Sequence, residues 1–268
     1  MSLAARLLVV ACLVVASGSV ARADGGRSEA QELLARAFSN RYELDFAADI
    51  DLVMYDAGGQ RRVRRFRALS KIIADRTHSI GRLIAPVYLR GMTILTIEAK
   101  DRGHDAFVYL PSLGKVRRVS TAQRNDAFLG SDVTYEDLER HRVGEYRLAE
   151  PRITERAGER AYAIGATPRR PGHGERIEFI VSAADAAILE TRHFRNSDAP
   201  HRIVSMPRTH MIERGGHILP TRLEVNNLFR STRTEVVFQN LIVNPTIDER
   251  FFSVATLDQK RRLPGESR

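Results

Sequence analysis

The chain contains no tryptophan and one cysteine, Cys12, among its 268 residues. Cys12 lies in an apolar N-terminal stretch that we expect to be removed, and the remaining chain then contains no thiol. Without thiols a protein forms no disulfide, has no cysteine nucleophile and offers no thiolate to a metal. The motif His-Glu-x-x-His is also absent, and eight histidines are spread from His78 to His217. We therefore predict no metal site and no cofactor.

The remaining polar motifs are typical of turns and helix caps. Ser131 lies between Gly130 and Asp132, which is a turn sequence, and the chain has no G-x-S-x-G elbow around it. Glu136 and Asp137 are adjacent, so they favour capping or solvation over acid-base chemistry. We predict no catalytic residue and no enzymatic activity.

The longest apolar run is at the N-terminus. Residues 1–23 contain a single early cation, Arg6, then an apolar run at 7–16 and Ala-Arg-Ala before Asp24. This layout is typical of a cleavable secretory signal, and its apolar core is too short for a stable membrane span. We predict export to the periplasm. Lipidation at Cys12 is the alternative, although it would leave a much shorter apolar core.

The chain is basic, with a formal net charge of +9. The predicted signal contributes two of the arginines and no acidic residue, so the mature chain stays positive. Lysine and arginine near an anionic membrane gain roughly 1 kcal/mol each, which favours a membrane surface as partner. A charged, soluble surface explains the composition equally well. Nucleic acid is not expected, since the chain has no motif that combines aromatic and basic residues.

The segment after the predicted signal indicates a helix followed by a hairpin. Residues 28–38 begin with Ser28 and Gln31 at the spacing of a capping box. The helix carries an apolar stripe, which is typical of a core face or of a lid over a cavity. The stripe comprises Ala30, Leu33, Leu34, Ala37 and Phe38.

Residues 46–54 alternate between apolar and polar side chains, as in a half-buried strand. Residues 56–59 form a turn sequence, and the return strand is rich in arginine. We expect this strand to pair its charges with the acidic face of the first strand. The arginines are Arg61, Arg62, Arg64, Arg65 and Arg67, and the acidic residues are Asp45, Asp49 and Asp51.

Two strands in the middle of the chain are apolar on both faces. Residues 92–98 and 106–110 carry few polar side chains at alternate positions, so each face should meet a core or a cavity. Residues 111–114 predict a turn. The strand at 115–120 is basic at Lys115, Arg117 and Arg118.

The loop at residues 125–132 contains two bulky apolar side chains, Phe128 and Leu129, among turn-forming residues. Such side chains predict a docking site for the loop. Thr134 and Asp137 then have the spacing of a capping box, which predicts a short helical turn.

The remaining chain reads as strands separated by turns, with no βαβ alternation and no repeat. The predicted strands are residues 147–157, 160–167, 176–181, 187–194, 202–213, 217–226 and 232–242. Together these segments predict an antiparallel meander of around ten strands. We expect one domain at 24–259, a terminal helical turn at 245–252 and an exposed tail at 260–268.

The middle of the chain resembles the outer-membrane lipoprotein-sorting (LolA-like) family. The residues that carry the resemblance are Pro86, Arg90-Gly91, the segment 107–118, the segment 128–132 and the segment 135–138, with weaker support from Pro207, Gly216, Pro220-Thr221 and 248–251. The resemblance implies a mainly β protein with a few helices, in which a strongly curved antiparallel sheet forms a half-open (LolA/LolB-like) barrel with a helical lid. Val108 departs from the family, in which this position is often tryptophan.

The resemblance implies a periplasmic carrier or chaperone that holds acyl chains in an apolar concave cavity. The expected ligand-binding residues are Leu33, Leu34, Phe38, Phe107, Tyr109, Phe128 and Leu129, and the expected docking residues at the rim are Lys115 and Arg117. A register shift of one residue would turn the side chains at 107 and 109 to the other face.

The expected partners are a lipid or acylated ligand and a membrane exporter or outer-membrane acceptor, and we expect a monomer. A structural or interaction module of the cell envelope with a filled core is the alternative, and a hydrolase of envelope lipids is a third reading.

Overall fold

The computed structural model describes residues 27–99, 103–119, 126–169, 175–258 and 262–266. The predicted secretory signal and Cys12 lie outside these residues.

The predicted N-terminal helix is present as α1, Glu29–Tyr42, one turn longer than expected. The Ser28 hydroxyl accepts a hydrogen bond from the Gln31 backbone N–H, and the Gln31 side chain accepts one from the Ser28 N–H. These reciprocal bonds satisfy donors that a helix start leaves free, and they confirm the predicted capping box. The helix buries Leu34 and Phe38 from its apolar stripe.

The rest of the described chain is mostly strand, with short 3-10 turns between some of the strands. The strands are β1 Phe46–Tyr55, β2 Arg61–Ile73, β3 Arg76–Ala85, β4 Thr93–Ala99, β5 Gly103–Leu110, β6 Lys115–Val119, β7 Tyr146–Leu148, β8 Arg152–Arg156, β9 Glu159–Pro168, β10 Glu175–Ser182, β11 Ile188–Arg195, β12 Arg202–Ser205, β13 Met211–Arg214, β14 His217–Pro220, β15 Arg222–Asn227 and β16 Thr232–Val243.

A single antiparallel sheet contains fourteen of the described strands, in the order β6-β5-β4-β3-β2-β1-β16-β15-β12-β11-β10-β9-β7, with β8 also paired to β9. Strands β13 and β14 form a separate hairpin. The sheet is not closed, because β6 and β7 are its two ends. The predicted fold class, a curved antiparallel sheet in a half-open barrel, is confirmed.

The described residues form sixteen strands where around ten were expected, because proline interrupts three of the predicted segments and because β3 was not among the predicted strands. Pro151 separates β7 from β8, Pro207 separates β12 from β13, and Pro220 ends β14 just before β15 begins. Proline has no backbone N–H to donate to a ladder, so each interruption has a local cause. The strand order also departs from a simple meander. The last strand, β16, pairs with the first, β1, in the middle of the sheet.

The hairpin of β1 and β2 pairs its charges as predicted. The Arg65 Nε lies 2.7 Å from the Asp51 Oδ1, and the Arg67 Nη1 lies 3.3 Å from the Asp49 Oδ1. Cross-strand neighbours therefore account for the acidic and basic faces of this hairpin.

One face of the sheet, which we call the inner face, is covered by α1 and by residues 126–145. The covering segment contains 3-10 turns at Phe128–Gly130, Glu136–Leu138 and Val143–Glu145. The predicted capping box precedes the second turn, where the Asp137 N–H donates to the Thr134 hydroxyl over 3.2 Å. Within the described residues, no helix is both long and apolar enough to cross a membrane.

The other, outer face of β1 to β5 carries a second core. Leu69, Ile80 and Leu95 are buried there beneath the C-terminal segment, which contributes Leu257 and Leu263. Within residues 262–266, the expectation of an exposed tail is wrong for Leu263, which is 2% exposed and packs in the outer core, whereas Arg262, Pro264 and Gly265 are exposed. A sheet that is apolar on both faces needs cover on both, and the C-terminal segment supplies the outer cover.

The outer core predicts a measurable difference between two leucines. Leu69 is fully buried on the outer face, whereas Leu113 in the turn between β5 and β6 is 50% exposed. Leu69→Ala should lower the free energy of unfolding by about 2–5 kcal/mol through lost burial and a cavity. Leu113→Ala, the matched control, should change it by less than about 0.5 kcal/mol. Urea unfolding measures both, and equal small effects would contradict a covered outer face.

Candidate functional site

The register of β1 to β4 arranges the inner-face side chains in rows across the strands. The upper row is bulky: Ile50 lies beside Phe66, and Phe66 lies beside Leu83. The middle row is small, with Ala48, Ala68 and Gly81 followed by Ile94. The lower row is polar, with Ser70, Ser79 and Thr96 beside Phe46.

The small middle row leaves space on the inner face. A cavity of about 230 Å³ lies there, walled by the sheet on one side. A Cβ atom added at Gly81 would lie 3.3 Å from the Phe66 ring, which is a tight contact. Glycine at this position therefore leaves room for the Phe66 ring beside the small row. The cavity is lined by Arg41, Tyr42, Leu44, Phe46, Ile50, Leu52, Phe66, Ala68, Leu69, Ser70, Thr77, Ser79, Ile80, Gly81, Ile94, Thr96, Phe128, Val133, Asp137, Leu138, Arg140, Leu219, Pro220, Leu223, Val236, Phe238 and Leu241.

Most of this lining is apolar, and its polar groups gather at one end. The Ser70 and Ser79 hydroxyl oxygens are 2.9 Å apart, and the Thr96 hydroxyl donates to the Ser79 carbonyl over 3.4 Å. The end of α1 lies here too, and burial raises the pKa of Tyr42. The cavity therefore has an apolar end near the bulky row and a polar end near the lower row.

The wall opposite the sheet is the segment 126–145, which buried side chains hold in place. Phe128 is buried, with its ring centroid 6.2 Å from that of Phe66 and 5.4 Å from that of Tyr135. Asp132 accepts hydrogen bonds from the Thr232 hydroxyl over 2.5 Å and from the Thr234 hydroxyl over 2.9 Å. The predicted docking of this loop is therefore present, and its anchor is the start of β16.

Ser131 and Asp132 have structural roles in this wall, as their sequence indicates. The Ser131 hydroxyl donates to the Phe128 carbonyl over 2.7 Å, which closes the turn. Leu129 adopts a positive φ of 52° inside the same turn and is half-buried.

A buried ion pair lies where the wall meets β12. The Arg202 guanidinium donates two hydrogen bonds to the Asp137 carboxylate, over 2.5 and 2.8 Å. Burial alone would raise the pKa of Asp137, but the charge and hydrogen bonds of Arg202 outweigh it and hold the pKa well below its usual range. Asp137 is therefore ionised and paired, which suits an anchor better than a proton donor.

A second, polar cavity of about 550 Å³ lies on the other side of this ion pair. Asp137 lines both cavities. The second cavity carries charges of both signs, among them Arg195, Arg230 and Asp126. Among the described residues, no group of three or more histidine, cysteine, aspartate or glutamate side chains could hold a metal ion.

The structure gathers most, but not all, of the predicted ligand-binding residues on the inner face. Phe128 lines the apolar cavity. Leu34 and Phe38 are buried in the same core, where Phe38 packs edge-on against Phe179 at 5.3 Å. Leu33, like Leu129, packs half-buried against that core. The stripe of α1 thus belongs to the core, and the end of the helix borders the cavity.

Phe107 and Tyr109 lie on the outer face, which corrects the expected register. Both pack against the outer core, while Val108 is buried on the inner face. Strand β5 is apolar on both faces, so its sequence alone did not fix which residues turn inward. Val108, the residue of β5 that faces inward, is the one that departs from the family pattern.

Lys115 and Arg117 are exposed on β6, the edge strand of the sheet. They lie opposite Leu110 and Val108, so they share the inner side of the sheet. The charge is therefore at the edge of the inner face, although these two residues do not line the cavity.

Sequence reasoning missed the polar end of the cavity. Ser70 and Ser79 sit at inner-face positions of β2 and β3, where they interrupt the apolar alternation. That interruption was the available signal. Arg140 also lines the cavity, but it lies in an irregular segment that carries no periodicity.

The buried histidine in the wall predicts a pH dependence. Burial lowers the pKa of His141 to about 4, and a hydrogen bond of 2.6 Å joins its Nδ1 to the Tyr146 hydroxyl. An unfolded histidine titrates near 6.5, so protonation favours the unfolded chain between these values. The free energy of unfolding should therefore fall by up to about 3 kcal/mol from this residue as the pH drops from about 6.5 towards 4.

Urea unfolding at a series of pH values tests this histidine. His141→Gln should reduce the pH dependence, since one titrating group is gone; the rest remains with His193 and His78, whose pKa values burial also lowers. Tyr146→Phe keeps the buried imidazole and removes the hydrogen bond, so it should retain the slope. An unchanged slope in His141→Gln would assign the pH dependence to other groups.

The comparisons with known proteins agree on the fold. A family model described as "-like: Uncharacterized protein" matches residues 75–259. No curated protein matches the chain significantly. A DUF1329 family protein from Desulfovibrio piger superposes with a TM-score of 0.79 at 20% identity, covering 85% of this chain and 97% of that one.

Two further solved structures share the fold. A putative outer membrane lipoprotein-sorting protein domain from Vibrio parahaemolyticus has a TM-score of 0.77 at 19% identity, over 86% of this chain and 97% of that one. A LolA superfamily protein from Nitrosomonas europaea has a TM-score of 0.65 at 19% identity, over 85% and 99%. Since the family model spans more than half of the chain, the chain belongs to that family, and its fold is that of the LolA-like outer-membrane lipoprotein-sorting proteins.

Proposed function

We propose that this protein is a carrier that binds an acyl chain of a lipid or acylated protein in its inner-face cavity. The observation that carries the proposal is the apolar cavity of about 230 Å³ between the sheet and the segment 126–145. Burying a methylene contributes about 0.8 kcal/mol, so ten methylenes contribute about 8 kcal/mol before the costs of binding. A net 8 kcal/mol would correspond to micromolar affinity, so after the costs of binding one such chain binds more weakly than that, without any covalent chemistry. Of the predicted ligand-binding residues, Phe128 is the one that lines this cavity, and we propose that it contacts the ligand.

The size of the cavity limits what enters it. Pockets for drug-sized ligands span about 300–1,000 Å³, and this cavity is smaller. One chain of moderate length is the matching ligand. A ligand with several acyl chains would require the wall segment to move away from the sheet.

The carrier would act outside the cytoplasm. The secretory pattern of residues 1–23 supports export to the periplasm, with a mature chain that starts at Asp24. A membrane exporter or an outer-membrane acceptor would then exchange the ligand with the carrier.

The docking surface that we propose is one end of the sheet. The β1–β2, β3–β4, β5–β6 and β15–β16 turns all lie at that end, because the strands are antiparallel neighbours. Large apolar side chains are exposed there: Tyr88 is 80% exposed, Phe229 is 89% exposed and Leu113 is 50% exposed. Lys115 and Arg117 follow the β5–β6 turn. Exposed apolar tips beside cations suit the surface of an anionic membrane.

A structural module of the envelope with no ligand is the second candidate, and the small volume of the cavity favours it. Solvent extraction and mass spectrometry separate the two functions. If the protein is a carrier, solvent extraction should release the same lipid from each preparation of the purified parent protein. Ala68→Leu fills the small row of the cavity, so it should yield at least tenfold less of that lipid. Ala57→Leu, which adds the same atoms in an exposed turn, should match the parent.

The outcome depends on Ala68→Leu remaining folded, which urea unfolding checks. Because the added atoms occupy empty space, its free energy of unfolding should stay within about 1 kcal/mol of the parent. Repeatedly empty extracts from the parent would favour the module.

The docking proposal predicts a charge effect on transfer. Lys115→Gln with Arg117→Gln should slow the transfer of a fluorescent fatty acid to anionic vesicles several-fold at low salt, since exposed charges steer association. High salt should remove the difference. Arg36→Gln with Arg214→Gln removes the same charge from exposed positions elsewhere and should have a smaller effect. Transfer rates equal to the parent at both salt concentrations would confine Lys115 and Arg117 to solubility.

A further inference from the structure

Arg140 is a buried cation at the polar end of the cavity. Its side chain is 9% exposed, and it lies between the 3-10 turns Glu136–Leu138 and Val143–Glu145. The Nη2 donates to the Glu43 carboxylate over 2.7 Å, and the Nη1 lies 3.7 Å from the Asp75 carboxylate. The guanidinium therefore reaches from the surface to the cavity, which it lines.

Two nitrogens of this guanidinium make no hydrogen bond within the described part of the chain, although Nη1 also lies within ion-pair distance of the Asp75 carboxylate. The Arg140 Nε and Nη1 are buried and make no hydrogen bond. The Thr77 hydroxyl, which lines the same end of the cavity, is also buried without a hydrogen-bond partner. A buried donor without an acceptor costs about 1–3 kcal/mol, and more when it is charged. At one end of an apolar cavity, the Arg140 Nε and Nη1 and the Thr77 hydroxyl thus offer donors that no described residue accepts in a hydrogen bond.

The charges nearby select the kind of acceptor. Glu43 already balances part of the Arg140 charge, and the carboxylate of Asp75 lies at the longer distance. The cavity is also lined by a second cation, Arg41, and by the Asp137 carboxylate, whose charge Arg202 balances. This balance suits a single negative charge better than the double charge of a phosphate monoester. A carboxylate also accepts several hydrogen bonds at once, from charged and neutral donors alike.

We infer that the cavity takes a single-chain amphiphile with a carboxylate head, a free fatty acid. The carboxylate would lie at Arg140 and Thr77, and the alkyl tail would run along the small row towards Phe66 and Phe128. This inference rests on the proposed carrier function and adds the class and the orientation of the ligand.

Calorimetric titration of the mature protein at pH 8 tests the inference with two ligands that share a tail. Dodecanoic acid is ionised at this pH and 1-dodecanol is neutral, so their affinities differ only through the head. The parent should bind the acid at least tenfold more tightly than the alcohol. Arg140→Gln should bring the two affinities within about twofold by weakening the acid alone, at least about fivefold, which is a loss of about 1 kcal/mol or more.

Two further variants keep the test decisive. Arg142→Gln removes a cation of the same segment that does not line the cavity. Arg142 pairs closely with Glu98, at 2.5 Å, and more distantly with Asp75, at 3.7 Å, so this variant should keep the preference for the acid. Arg140→Lys keeps the charge and should retain part of the preference even if Arg140→Gln does not fold.

The two ways of failing differ. Equal affinity of the parent for acid and alcohol would overturn the carboxylate site and leave the carrier function standing. A folded parent that binds neither ligand would overturn the carrier function itself. If Arg142→Gln loses the preference for the acid as strongly as Arg140→Gln does, the preference comes from the overall positive charge of the segment. That outcome would contradict a specific site at Arg140.

Discussion

The register between β1, β2, β3 and β4 is the constraint on which the rest of the molecule depends. It places a bulky row, a small row and a polar row on consecutive inner-face positions. Because side chains alternate between faces, a shift of one residue in any of these strands would send a row to the outer face and destroy the cavity. The paired charges of Asp51 with Arg65 and of Asp49 with Arg67 lie on the same hairpin and hold its register. Surface charge and interior space are therefore set by one alignment of the backbone.

The two faces of the sheet are built differently. The outer face is filled by the C-terminal segment, with Leu257 and Leu263 packed against Leu69. The inner face is covered by a segment that buries Phe128 and ties Asp132 to Thr234, yet leaves the small row uncovered. Full cover on one side compensates for incomplete packing on the other, since a protein tolerates an internal space only when its stability comes from elsewhere. The segment 126–145 is thus the part of the fold whose contacts decide whether the space is accessible.

The sequence predicted local structure well, but it predicted less well which face of the sheet a side chain lies on. The α1 capping box and the charged hairpin were predictable because each depends on residues close in sequence. The docking of the loop at Phe128 was predictable from its bulky apolar side chains, whereas its anchor at Thr234, far away in sequence, was not. Phe107 and Tyr109 were assigned to the wrong face because both faces of β5 are apolar, and alternation then carries no information. The buried Leu263 and the cavity-lining Arg140 were missed for another reason: their environments are made by strands far away in the chain, and no period marks them.

The pairing of β1 with β16 in the middle of the sheet has a consequence for folding. The hairpins from β1 to β6 join neighbouring segments, but Phe46 lies opposite Val243, almost at the other end of the chain. Contacts between residues so distant in sequence form late, because the chain must first close a long loop. The two halves of the sheet therefore cannot join until the last long strand has been synthesised. This connectivity therefore delays completion of the native structure until nearly the whole polypeptide is available to fold.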